Sequence, residues 1–201
     1  MGADVTSNET NRNMGSQDWR PIGGVPGWRS RVASDAGAVR YRRSMKIRTA
    51  SPDDITLIAQ LIRELAEYER APELAQAREA DLSQALFGAH PHVFCHLAEL
   101  DGVVIGMALW FLNFSTWLGR SGMYLEDLYV RTEHRGKGAG GALMKELART
   151  CLAMGYERFE WSVLNWNTPS IDFYVSIGAR PMDEWTTYRL DGHALEAYVQ
   201  R

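Results

Sequence analysis

The stretch from Tyr124 to Met154 constrains this chain more than any other. It opens Tyr124-Leu125-Glu126-Asp127-Leu128-Tyr129-Val130, whose aromatic and branched side chains suit a pleated, half-buried strand. It closes on a run in which Leu143, Leu147 and Cys151 recur every fourth position beside Met144, Ala148 and Leu152, giving one apolar helix face. Between them, residues 136–141 hold four glycines, Gly136, Gly138, Gly140 and Gly141, flanked by Arg135 and Lys137. Glycine lets main-chain N–H groups approach a ligand with no Cβ in the way. The first N–H groups of a helix lack intrahelical partners and sit at the positive end of its dipole. Strand, glycine turn and helix in that order make an anion site, most often one for phosphate. A merely solvated turn rarely needs so many glycines.

The spacing narrows the ligand. No lysine-serine or lysine-threonine follows the glycines, so the Walker pattern is absent. Gly136-x-Gly138-x-x-Gly141 matches the dinucleotide fingerprint, with Glu160 near its acidic position. Five residues separate Val130 from Gly136, however, and too little chain follows for a doubly wound sheet. Arg135-x-x-Gly138-x-Gly140 instead resembles the acyl-CoA pyrophosphate loop of the GNAT acetyltransferase superfamily. Both flanks extend the likeness. Tyr124-Leu125-Glu126-Asp127 and Trp166-Asn167-Thr168-Pro169-Ser170-Ile171-Asp172-Phe173-Tyr174 resemble the diamine (spermidine/spermine) acetyltransferases and their thialysine-acetylating relatives, over about Met45 to Val199.

Length and charge agree with one folded domain and a tail. Residues 1–44 carry seven arginines and four acids, are rich in Gly, Ser and Asn, and are broken by Pro21 and Pro26; the expectation is disorder. Residues 45–201 carry 15 Lys and Arg against 21 acids, a balance that argues against nucleic acid and for cationic ligands. No run of eighteen apolar residues exists, so no membrane span is expected. Cys95 and Cys151 fall in apolar surroundings on separate elements and read as reduced, buried thiols of a cytoplasmic protein. His92 and His96 would share one face of a strand, but with His90 they lack companion cysteine or carboxylate ligands, so no metal is expected.

In chain order, Lys46–Thr49 reads as a strand, and Ser51 with Pro52, Asp53 and Asp54 as a helix start. Ile55, Ile58, Leu61, Ile62 and Leu65 follow at helical spacing. That helix ends on Glu67, Tyr68 and Glu69, carboxylates that oppose its dipole. Glu79–Phe87 reads as a second helix, and Asp101-Gly102 as the turn of a hairpin between Val93–Leu100 and Val103–Phe114. Arg158–Leu164 reads as a strand parallel to Tyr124–Val130, Asn167–Ser176 as a short helix, Trp185–Leu190 as a late strand and Ala194–Val199 as a terminal helical turn. Hairpins first and a βαβ unit later give an α/β mixed sheet with helices on both faces, which is the GNAT architecture.

Acetyl transfer from a thioester to an amine needs a deprotonated amine and a stabilised thiolate. An alkyl amine of pKa about 10.4 leaves roughly one molecule in two thousand neutral at pH 7, so a nearby carboxylate is required to hold the cation and take its proton. Glu126 and Asp127 are the candidates, although adjacent residues of a regular strand face opposite ways; a bulge would let both serve one substrate. The resemblance implies Glu126 as base through water, Asp127 on a distal ammonium, and Tyr174 as the hydrogen-bonding acid for the thiolate. It implies acetyl-CoA held by Leu128, Tyr129 and Val130 along the pantetheine arm. Arg135, Gly136, Lys137, Gly138, Ala139, Gly140 and Gly141 would hold the pyrophosphate, with Asn167 and Ser170 on the other side. Substrate contacts are implied for Tyr68, Glu69, Glu160, Trp161, Ser162 and Asp183, and a homodimer with sites near the subunit interface. Two other readings fit the loop: a non-catalytic acyl-CoA-binding domain, and an acetyltransferase of a protein lysine or N-terminus.

Overall fold

The computed structural model describes residues 44–200; the tail expected to be disordered lies, but for Ser44, outside them. Five strands form one sheet in sequence order: β1 (Met45–Thr49), β2 (Val93–Leu100), β3 (Val103–Ser115), β4 (Arg120–Val130) and β5 (Phe159–Trp161). The first three pairings are antiparallel and β4–β5 is parallel, the mixed sheet expected. Asp101 (φ 54°) and Gly102 (φ 82°) make the tight β2–β3 turn, two consecutive left-handed residues that match the twist of the strands they join.

Helices cover both faces. On one face α1 (Ile55–Tyr68) and α2 (Glu79–Phe87) bury Ile58, Leu61, Leu65 and Leu86 against Cys95, Leu97, Met107, Leu109 and Tyr129. On the other, α3 (Ala139–Met154) buries Leu143, Leu147 and Cys151 against Ile105, Ala108, Trp110, Met123 and Leu125. The two cysteines are free, buried and on opposite faces. Ser51 and Pro52 lead into α1 through a short 3₁₀ turn; the Asp54 carboxylate accepts from the Ser51 N–H (2.7 Å) and takes both Arg48 Nη groups (2.7 Å each). Gly155 (φ 69°) ends α3.

Three expectations are corrected. The strand expected over Arg158–Leu164 spans only Phe159–Trp161, because β4 and β5 stay paired just from Met123 to Leu125. No strand forms over Trp185–Leu190: such a short β5 offers little edge to pair with, and Trp185 and Tyr188 are 69% and 91% exposed. His92 does not share a strand face with His96; it precedes β2, whereas His96 is buried, its pKa lowered by that burial, and accepts a hydrogen bond at Nδ1 from Trp110 Nε1 (3.1 Å). The chain finishes with α4 (Thr168–Ser176) and α5 (Gly192–Val199). Among the described residues no helix is long and apolar enough to cross a membrane.

Candidate active site

The site is built around an irregularity in β4. Leu109 of β3 pairs with Asp127, but the next residue, Trp110, pairs with Leu125, so Glu126 is an extra residue without a partner. This is the bulge that the adjacent acids required. Its effect on facing can be followed along the strand. Met123 and Leu125 lie in the α3-side core, and so do Leu128 and Val130, while Tyr129 is buried on the α1 side. In a regular strand Leu125 and Asp127 would share a face. The bulge shifts the alternation by one and turns Asp127, with Tyr129, toward α1.

There Asp127 joins the end of α1. Burial pushes its carboxyl up to about 7, and the negative charges of Glu126 and then Glu69 add to the rise. Glu69 is itself raised by desolvation, and the Tyr174 phenol is raised first by burial and then by Glu69. Glu69, Glu126, Asp127 and Tyr174 thus surround one space. Among the described residues no hydrogen bond or ion pair neutralises Asp127, Glu126 or Glu69. Tyr174 is half-buried on α4, its ring 5.0 Å from that of Trp161, and a raised phenol stays protonated as a donor.

Beside this space the sheet opens. β5 leaves β4 after Leu125, so the β4 edge from Leu128 to Val130 has no strand on that side among the described residues. The edge leads into the glycine turn, where Gly136 (φ 71°) and Gly138 (φ 87°) adopt a left-handed backbone that side-chain-bearing residues resist. A Cβ at either would meet no atom within 4 Å. The glycines answer the backbone conformation, and the room above them is open. Gly138 caps α3, whose first intrahelical bond runs from Ala142 N–H to the Gly138 carbonyl (2.9 Å), ahead of which stand the N–H groups of Ala139, Gly140 and Gly141. A free strand edge running into an N–H-lined turn fits a pantetheine arm followed by a pyrophosphate.

Residues 58–179 match the model of the GNAT acetyltransferase family. This chain belongs to that family. It is 36% identical over 163 residues to a thialysine N-epsilon-acetyltransferase from Sus scrofa, covering 76% of this chain and 95% of that one. An L-ornithine N5-acetyltransferase from Arabidopsis thaliana is 31% identical over 202 residues, covering 78% and 89%. Among solved structures, an integron cassette protein from the mobile metagenome of V. cholerae superposes with a TM-score of 0.67 at 29% identity, over 79% of this chain and 99% of the other. The protein is an acetyltransferase, and enzymes of this family take acetyl-CoA as the acyl donor.

The remaining expected residues of this GNAT enzyme divide into two groups. Tyr68 is brought in: its hydroxyl donates to Asn167 Oδ1 (3.3 Å), and the Arg135 guanidinium lies 4.1 Å from its ring centre. Arg135 also donates from Nε to the Val130 carbonyl (3.0 Å), and Lys137 donates to the Glu133 carbonyl (2.8 Å), so both loop cations brace the loop itself. Ser170 is half-buried in the first turn of α4. Others are committed elsewhere. The Glu160 carboxylate lies 2.9 Å from Arg158 and accepts from Asn113 (2.8 Å); Ser162 bonds Tyr124 (2.8 Å); Trp161 packs on the α3-side core; Asp183 stands in an exposed turn. Sequence spacing gave no sign of the Tyr68–Asn167 bond, which joins residues 99 apart, or of the Glu64–Arg131 ion pair (3.0 Å). That pair borders an open groove of about 410 Å³ between the end of α1 and the start of the loop, also lined by Glu67, Tyr68, Tyr129 and Glu133.

Proposed function

We propose that the enzyme transfers an acetyl group from acetyl-CoA to a primary amine of a small polycationic or lysine-like molecule, by direct attack within a ternary complex. The observation that carries this reading is the trio of uncompensated carboxylates, Glu69, Glu126 and Asp127, gathered beside the open β4 edge. Negative charge left unpaired at a half-buried site is costly, and an incoming ammonium relieves it. A basic amino acid or polyamine, with a second cation, suits several carboxylates better than a monoamine. The names of the relatives, acting on thialysine and ornithine, fall in that class.

In this mechanism acetyl-CoA supplies the activated acyl group. Backbone groups of Leu128, Tyr129 and Val130 orient its arm and the N–H groups from Gly136 to Gly141 hold its pyrophosphate, with Asn167 and Ser170 opposite. Tyr174 offers a hydrogen bond that strengthens as negative charge grows on the departing sulfur; full proton transfer from a raised phenol to a thiolate of pKa near 8.5 is uphill. Both thiols are buried, and no covalent enzyme intermediate is needed; burial pushes Cys95 up to about 12. We further propose a cytoplasmic homodimer. The free thiols suit a reducing compartment, and the exposed apolar side chains of Trp185, Tyr188, Leu190, Tyr198 and Val199 offer surface that a second copy of the chain would cover.

The test is thiol release from acetyl-CoA with L-ornithine, L-lysine, thialysine, spermidine and a lysine-containing peptide. Amine-dependent release with the small dications, at least tenfold above the peptide in kcat/KM, is expected. Coenzyme A binding without amine-dependent release would leave an acyl-CoA-binding domain instead.

A further inference from the structure

We propose that Asp127, rather than Glu126, takes the proton from the acceptor amine, and that Glu126 beside it holds the cation. The proposal rests on the amine-acetyltransferase reading and assigns roles within it.

The first ground is the register. Glu126 is the residue expelled from the β3–β4 ladder and it is exposed, so water solvates its carboxylate. Asp127 keeps its place opposite Leu109, and the shifted alternation directs it to the α1 side. Without the bulge the same residue would enter the α3-side core beside Met123 and Leu125, out of reach of any substrate. The second ground is its company. Leu109 and Cys95 are its buried neighbours on the sheet, the Cys95 thiol registering its charge. The charged and titratable groups that act on it are Glu126 on its own strand, Glu69 at the end of α1 and the Cys95 thiol on β2, with Tyr174 of α4 beside Glu69; none is a cation. Contrast Glu160 and Glu64, each of which sits against an arginine.

The chemistry follows. Efficient general bases titrate near the working pH. Passing a proton from an ammonium of pKa about 10.4 to an ordinary glutamate near 4.3 is uphill by roughly six powers of ten, and to a group near 7 by roughly three. The first N–H bond of the ammonium breaks and an O–H bond forms on Asp127. The freed electron pair attacks the acyl carbon as the C–S bond breaks toward the thiolate held by Tyr174. The nitrogen gives up its second proton as the amide forms, and that proton goes to the sulfur. Asp127 then releases its own proton to water through the exposed mouth at Glu126, restoring the carboxylate. One ammonium and one thioester become one amide, one thiol and one proton in solution.

The experiment compares kcat/KM against pH for wild type, Asp127→Asn and Glu126→Gln, using L-ornithine and spermidine. In wild type an acid limb near pH 7 is expected. Asp127→Asn should lose at least a hundredfold and lose that limb. Glu126→Gln should keep the limb, displaced to lower pH because one neighbouring negative charge is gone, and should raise KM more than it lowers kcat. Loss of the limb in Glu126→Gln with its retention in Asp127→Asn would overturn the assignment. A second measurement needs no turnover: ¹³C NMR of the substrate-free enzyme should show one carboxyl titrating near 7 that disappears in Asp127→Asn. Every carboxyl titrating below 5 would also overturn it. Wild type that titrates as expected but acetylates no amine would refute the functional reading, a result distinct from either failure of the assignment.

Discussion

Asp54 and Asp127 stand on the same face of the same sheet and have been given opposite surroundings. Asp54, 8% exposed, accepts both Arg48 Nη groups, the Ser51 N–H and the Ser51 hydroxyl, and the hydrogen bonds to Arg48 above all hold its carboxyl well below the usual range. Arg48 is in turn shared with Glu99 through Nε (2.6 Å), and its own pKa is raised by the two. Asp127 has no such donors among the described residues and is pushed up to about 7 by burial and like charge. Burial disfavours both carboxylates; donors decide the outcome. One aspartate is part of the scaffold, closing the entry to α1. The other is left short of donors where an ammonium from solution can complete it. This is how a binding site differs electrostatically from a structural ion pair.

The comparison predicts opposite signs of stability against pH. Asp127 has its folded pKa raised from 3.8 to about 7, so between those values the folded state binds more protons and stability falls as pH rises. Asp127→Asn removes that loss. At 1.36 kcal/mol per unit the gain at pH 8 has a ceiling on the order of 4 kcal/mol and vanishes below pH 4. Denaturant melts at pH 4, 6 and 8 check it, and a variant no more stable than wild type at pH 8 would break the contrast. Asp54→Asn should do the reverse. Its depressed pKa contributes stability above pH 4 that is lost as pH falls through the folded value, so the variant should be less stable at pH 7 by about 2–3 kcal/mol, and the gap should close in acid. Unchanged acetyl transfer in the folded Asp54 variant would confirm that this pair serves structure alone.

What the sequence disclosed follows the range of the forces involved. Ser51, Pro52 and Asp54 announced the start of α1, Asp101-Gly102 the hairpin, and the four glycines the cap of α3, because each is settled by a few neighbouring residues. The adjacent Glu126 and Asp127 even implied a bulge. Their ranking was not legible: it depends on which of the two the β3 ladder expels and on Glu69, brought in from the end of α1. The same limit explains the misread Trp185–Leu190. Its aromatic, β-prone composition is genuine, but a strand requires an edge, and β5 extends only three residues. The stacking of Arg135 on Tyr68 is likewise a tertiary contact that no spacing encodes.

The smallest effect sharpens the comparison most, because it separates charge from local helix energetics. Glu69 caps the C-terminal end of α1, where a carboxylate opposes the helix dipole, and it also lifts Asp127 and Tyr174. Glu69→Gln should therefore stabilise the fold by about 0.5 kcal/mol through the dipole at pH 6, and by somewhat more at pH 8, where Asp127 is ionised and the lost charge no longer repels it. Removing its charge should also move the acid limb of kcat/KM down by about half a pH unit or less, since an exposed carboxylate acts on Asp127 through screening solvent. A limb that stays fixed while the melting temperature rises would make Glu69 a matter of helix termination only. A limb that moves, in the same direction as in Glu126→Gln but by less, would show that the end of α1 and the bulge of β4 act on one titrating group.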